Sequence, residues 1–303
     1  MRLEIFHTKQ KLSARIIAQI VRFVEGFSPD IVRVFLYRKE FFGELFQSRF
    51  HQSLRGDSDW TFGERELMAA FVSSSSATSG ADLLPDEAMT KLRSFHVDTT
   101  TIPGHTLLRF TTESVNIGAG PLELRGSRPN TSTPTMSVVQ GIYDDAGGFR
   151  SVSVPSFMFW AGDGHNHWHV NDFISTELDR TDNGVKVGNY AKEGFCLTDS
   201  NAFNLSLPNA PGSKAYKGCV MGGQTSLAVK MGISVGWGDR YGYTLAFQWI
   251  DITDLTPGRY KLIGTVDAQN YYLESDETNN TTFTILQLNG DNTVKVIQQG
   301  PHL

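Results

Sequence analysis

Apolar positions along the chain change period at a serine-rich stretch. Up to residue 75 they recur at helical spacing. Ile16, Ile17, Ile20, Val21 and Val24 form one run, Ile31, Val32, Val34 and Phe35 a second, and Phe41, Phe42, Leu45 and Phe46 a third. Steps of three and four place such residues on one helix face. Thr61 followed by Glu64 makes a capping box ahead of Leu67, Met68, Phe71 and Val72. Residues 1–75 thus predict a small α-helical N-terminal segment. The next run, SSSSATSGADLLP, is polar, small and almost uncharged, and predicts a Ser-rich linker over 76–84.

Beyond it the period shortens. LLRFTTESVNIG, PLELRG, SVVQGIYD, FISTELDR, YTLAFQWIDIT, RYKLIGTVDA and NTTFTILQL are short and rich in β-branched and aromatic residues. Turn signals divide them: Gly118-Ala119-Gly120, Asp182-Asn183-Gly184, Pro257-Gly258 and Asn279-Asn280. This texture predicts a mainly β protein, with an antiparallel β-sandwich-like domain over 85–290 and a C-terminal tail over 291–303. No internal repeat is visible.

Composition narrows the function classes. A formal charge of -5 leaves no basic footprint for nucleic acid. No apolar run approaches the ~20 residues of a membrane span. The N-terminal apolar residues are interrupted by Arg15, Gln19 and Arg22, so no signal peptide is expected there. Two cysteines, Cys196 and Cys219, are too few for a disulfide scaffold and allow one bridge in an oxidising compartment.

Three of the eight histidines stand at alternate positions, His165, His167 and His169. Alternate side chains on a strand share a face, so the three imidazoles point together, a donor set for copper, zinc, iron or nickel. A straight strand would hold the outer two ~13 Å apart at Cα, near the limit for sharing one ion. The segment is therefore expected to bend or begin in a loop, with Gly162 and Gly164 giving the freedom.

The stretch GHNHWHVNDFISTEL resembles the copper-binding segment of the lysyl oxidase family. Three further matches come in the family's order. They are Lys192 to Asp199, Gly232 to Gly242, and Gln248 to Tyr260 continuing through Leu273 to Asn280. The resemblance covers about 84–288. It implies copper held by His165, His167 and His169, and a lysine tyrosylquinone built from Lys192 and Tyr241. It implies oxidation of the Tyr241 ring by copper and dioxygen, addition of the Lys192 amine, and deamination of primary amines to aldehydes with hydrogen peroxide and ammonia. Asp199 and Asp239 lie inside the matched motifs and are candidates for the base, or for turn and supporting carboxylates. Cys196 and Cys219 fall where the family has disulfide cysteines. Peptidyl lysines and small amines are both open as substrates. The family points to an extracellular or cell-surface location, while the missing signal peptide leaves a cytoplasmic one open.

Two rival functions accompany this reading. A metal-binding or adhesion β-domain would keep the fold without the chemistry. A zinc hydrolase would need a general base of the HExxH kind, which the sequence lacks. Glu274, Ser275, Asp276 and Glu277 read as a polar turn in preference to a calcium site. The N-terminal run YRKEFFGELFQSRFHQSL…WTFGERELMAAFVSS resembles the first helices of the carboxymuconolactone decarboxylase or alkylhydroperoxidase-like family. The Cys-x-x-Cys that carries that family's redox site is absent, so 1–75 reads as a truncated module with a structural or docking role, or as a fused gene model.

Overall fold

The computed structural model describes residues 80–162, 165–219 and 222–301. The chain divides into two units, Met1–Thr78 and Ser79–Leu303. The predicted helical segment and its family resemblance lie outside the described residues. The second unit is built of antiparallel sheets.

The first sheet joins β1 (Asp82–Leu83), β5 (Leu122–Ser127), β6 (Thr135–Asp144), β7 (Phe149–Trp160), β8 (Trp168–Asn171), β11 (Gly194–Phe195) and β13 (Ala228–Ile233). Its order is β11-β8-β7-β6-β5-β13, with β1 also on β6. The second joins β9 (Ile174–Arg180), β10 (Lys186–Asn189), β16 (Gly258–Val266), β17 (Thr281–Leu288) and β18 (Val294–Gly300), in the order β10-β9-β16-β17-β18. The third centres on β4 (Leu107–Asn116). It takes β12 (Asn201–Ala202), β14 (Trp237–Tyr241) and β15 (Trp249–Asp251) in the order β12-β14-β4-β15, with β2 (Glu87–Met89) and β3 (Arg93–Asp98) also on β4.

Burial reflects these positions. On β16 and β17 buried and partly exposed residues alternate, as in a sheet with one wet face. All ten residues of β4 are buried. Leu108, Phe110, Leu178, Phe195, Tyr260, Leu262 and Leu286 belong to one core that draws on all three sheets.

Three elements depart from the sequence pattern. The expected strand YTLAFQWIDIT survives only at Trp249–Asp251. Ahead of it the Arg109 guanidinium donates to the carbonyls of Tyr243 and Leu245, 3.0 and 3.2 Å, and Phe247 turns the chain at φ 60°. Those carbonyls are lost to a ladder. Strand β7 runs through Pro155, a residue that argues against a central strand. Its pairing with β6 shifts register between Ser137↔Phe157 and Val139↔Ser153, and that irregularity accommodates the proline. Val294–Gly300, placed in the tail by sequence, pairs along β17 as an edge strand.

Leu262 is fully buried at the middle of the second sheet. Leu262→Ala should lower unfolding free energy by about 2–5 kcal/mol in urea titration of the full chain. An effect below ~1 kcal/mol would mean that β16 does not anchor the core.

Candidate metal and redox centre

Strand β8 begins at Trp168, so His165 and His167 precede it and His169 lies within it. The bend expected from spacing is made at Asn166, in the left-handed region at φ 51°. Asparagine tolerates that conformation because its short side chain bonds locally. The turn brings the rings together. Centroids of His165 and His167 are 5.5 Å apart, His165 and His169 5.6 Å, and His167 and His169 4.6 Å.

The hydrogen bonds fix one tautomer. His167 Nδ1 lies 2.6 Å from the His165 carbonyl, which can only accept, so Nδ1 carries the proton. Nε2 of His167 then offers its lone pair, and Nε2 of His169 sits 2.8 Å from it. Two imidazole nitrogens on one metal at bond lengths of ~2.0–2.1 Å stand about 3 Å apart. The donor set and its spacing therefore suit a transition metal. His169 is nearly buried, and Phe159 packs edge-on against it at 5.8 Å.

Register brings the lysine segment beside this face. Gly194 and Phe195 of β11 pair with Asn171 and Val170 of β8. A Cβ on Gly194 would come within 2.5 Å of His169 Nδ1, so the close approach requires glycine. Two residues earlier, Lys192 is 7% exposed. Its Nζ stands 5.3 Å from the Phe195 ring centroid and 5.1 Å from that of Tyr241.

Tyr241 closes β14 and is also 7% exposed. Its hydroxyl lies 2.6 Å from Asp239 Oδ2 and 3.1 Å from the Cys196 carbonyl. Burial pushes the pKa of this phenol well above its usual value, and the Asp239 charge adds to the effect. Asp239 is itself pushed up to about 7 by burial, against the Tyr241 hydrogen bond and the Lys192 charge.

The Cys196–Cys219 disulfide is formed and closes a separation of 23 residues. A loop of that size contributes about 3 kcal/mol in the chain-entropy model. A ring nitrogen of His167 lies within 4.8 Å of both sulfurs. Since the sulfurs are bonded to one another, they are not thiolate ligands, which leaves the imidazole triplet as the candidate metal face. Cys196 thus has its side chain against His167 and its carbonyl against Tyr241.

The two candidate bases part company. Asp199 is 1% exposed and accepts four hydrogen bonds, two from Ser234 and one each from the N–H groups of Ala215 and Tyr216. That carboxylate ties loops together. Asp239 is the one against Tyr241. A second acidic group, Asp267, Glu274 and Glu277, lies apart from the imidazoles. Sequence reasoning passed over Tyr190 and gave Gln248 no role beyond its place in a matched motif. The Tyr190 hydroxyl bonds Gln248, whose amide donates to Thr112 at 3.1 Å, and the Tyr190 ring packs 6.3 Å from Phe195. The sign of a buried role was the polar Gln248 beside Trp249 in an apolar stretch. A cavity of about 620 Å³ opens beside the histidine loop, lined by Arg128, Phe159, Trp160, Gly162, Gln224 and Thr225 among others, with no carboxylate among its described residues.

Residues 149–298 match the lysyl oxidase family model. Human lysyl oxidase homolog 3 is 36% identical over 116 residues, 38% of this chain and 14% of the relative. Human lysyl oxidase homolog 1 is 37% identical over 117 residues, 38% of the chain and 18% of the relative. Lysyl oxidase homolog 2 of Xenopus laevis is 35% identical over 118 residues, 39% of the chain and 14% of the relative. The chain therefore spans less than a fifth of the length of these relatives.

Asp239 gives a pH signature. Its folded value of about 7 exceeds the ordinary 3.8, so the native state holds a proton that the unfolded state has lost. Stability present below pH ~4 should fall as pH rises toward 7. Asp267, pushed up to about 6, and Glu274, to about 9, act with the same sign. The thermal midpoint of metal-free protein should decline over that range, and Asp239→Asn should flatten the decline. An unchanged slope in the variant would contradict the assignment.

Proposed function

We propose that the chain is a copper-dependent amine oxidase, converting primary amines to aldehydes with release of ammonia and hydrogen peroxide, a reading supported by the match of residues 149–298 to the lysyl oxidase family model. The observation that carries the reading is the placement of the Lys192 amine 5.1 Å from the Tyr241 ring, next to a triplet of clustered imidazoles. His165, His167 and His169 would hold the copper. Copper held there would supply, with dioxygen, the oxidising power to convert the Tyr241 ring, with the Lys192 amine, into a quinone that would serve as the electron sink for amine oxidation.

The chain's own residues do the rest. Asp239 accepts the Tyr241 hydroxyl hydrogen and, with a value near 7, exchanges protons at neutral pH. The Cys196 carbonyl fixes the same hydroxyl from a second direction. Phe195 supports the Tyr241 ring edge-on, centroids 5.2 Å apart, and carries the Lys192 amine on its face. Register between β8 and β11 sets the distance from the metal face to the lysine. Asp199 has a structural role, and Asp239 takes that of base.

The cavity lined by Phe159, Trp160 and Gly162 adjoins the histidine loop and is the proposed approach for substrate. Arg128 lines it with its guanidinium donating to the carbonyls of Thr133, Gln224 and Ser226. The disulfide suits an oxidising compartment, and we assign the protein to the extracellular space or cell surface on that ground. No helix among the described residues is long and apolar enough to cross a membrane.

Copper-loaded protein should react with phenylhydrazine to give a coloured adduct, and the adduct should map to a crosslinked Lys192–Tyr241 peptide. Tyr241→Phe should abolish labelling while copper stays bound. His167→Ala should lose copper and labelling together. Copper-replete protein that takes up no label would instead establish a non-catalytic metal-binding β-domain.

A further inference from the structure

The disulfide stands against a candidate metal ligand, and the oxidase chemistry above gives its sulfurs no part. Both sulfurs and a ring nitrogen of His167 lie within 4.8 Å of one another. Two thiolates and an imidazole on one ion, at bond lengths of about 2.3 and 2.0–2.1 Å, stand roughly 3.5–4 Å apart. To share an ion, the nitrogen therefore closes on the sulfurs by about 1 Å at most, while the sulfurs need only part from each other.

Opening the bridge keeps both sulfurs at this place. Cys196 is 5% exposed and is held by its backbone. Strand β11, which ends at Phe195, pairs with β8, and the Cys196 carbonyl accepts from the Tyr241 hydroxyl. The carbonyl of Leu197, the next residue, accepts from the N–H of Gly232 at 3.2 Å. Cys219 is half-buried, so the more accessible sulfur is the less restrained one. It lies 3.6 Å from the Cys196 carbonyl, an acceptor for the thiol once that forms. Reduction needs an external dithiol. One of its thiolates attacks Cys219 Sγ, and the Cys196 thiolate departs. Its second thiol then releases Cys219 from the mixed disulfide. Two electrons and two protons pass to the cysteine pair, and the dithiol becomes a disulfide.

We propose that the reduced chain carries a second metal site, made by Cys196, Cys219 and His167, that takes copper in its monovalent state. Thiolates are soft donors and favour Cu(I), and each gives up its proton as the ion binds. Two sulfurs and one nitrogen make three donors, whereas structural zinc takes four. His167 is common to this set and to the imidazole triplet, where its Nε2 stands 2.8 Å from that of His169. The state of the cysteine pair thus decides what surrounds the ion. Reduced, it offers two sulfurs beside one imidazole; closed, it leaves imidazoles alone. The site requires neither amine oxidation nor the quinone.

The test uses the full metal-free chain, reduced with a dithiol that is then removed under argon. Titrated with Cu(I) against a chromophoric Cu(I) chelator, the reduced chain should retain a single ion and protect both cysteines from alkylation. X-ray absorption should show sulfur and nitrogen around the copper. The disulfide form should hold Cu(I) at least about tenfold more weakly. His167→Ala should weaken the reduced chain by as much, since loss of a group merely bonded to a ligand already costs about 10–100-fold. If reduction unfolds the chain, Cu(I) should restore its circular dichroism, and should fail to do so in His167→Ala. Equal retention by the reduced and disulfide forms overturns the site. So does a copper shell of nitrogen alone, retention indifferent to His167→Ala, or an unfolded reduced chain that Cu(I) does not refold. Every readout is taken without amine or dioxygen, so failure of this site and failure of the amine oxidase reading are told apart.

Discussion

The structure depends on the burial of polar residues along β4. The strand is covered on both faces, yet Arg109, Thr111, Thr112, Glu113, Ser114 and Asn116 are polar. A buried polar group without a partner is costly, so each such residue dictates what lies beside it. Glu113 collects Arg93, Asn201 and Arg240. Asn116 donates to the carbonyls of Gly120 and Ile233. Arg109 takes Asp98 at 2.6 Å and the carbonyls that unmake the strand ahead of Trp249. Thr112 holds Gln248, which meets Tyr190. The neighbourhood of Tyr241 results from this pairing as much as from apolar packing.

A second convergence occurs at Cys196. One residue bonds Cys219, flanks His167 and offers its carbonyl to Tyr241. His169 belongs to the first sheet and Tyr241 to the third, so a point common to both fixes their separation. Covalent closure at that point limits how far the two sheets can slip. Preorganisation of this kind holds the Tyr241 ring, the Lys192 amine and the imidazoles at fixed separations.

Much of this was legible in sequence because its causes are local. Alternation in RYKLIGTVDA and NTTFTILQL marks β16 and β17, since sheets with one wet face alternate. The spacing of His165, His167 and His169 demanded a bend, and a bend is present. Its hinge, Asn166, went unmarked because left-handed asparagine has no spacing signature. β7 was hidden by Pro155, and the loop before Trp249 by an arginine far off in sequence. The closeness of Lys192 and Tyr241 comes from pairing between distant strands, which a resemblance can imply and periodicity cannot. The separate fates of Asp199 and Asp239 needed their hydrogen-bond partners, which no motif spacing supplies.

Gly194 has an implication for redesign. Between the imidazole of His169 and the backbone that carries Lys192 there is clearance for a hydrogen and not for a methyl group. The two halves of the centre are therefore spaced by a missing atom. Adjusting that gap would shift the imidazole cluster from the strand next door, with the three histidines, Lys192 and Tyr241 left as they are. Position 194 is in effect the set-screw of the centre.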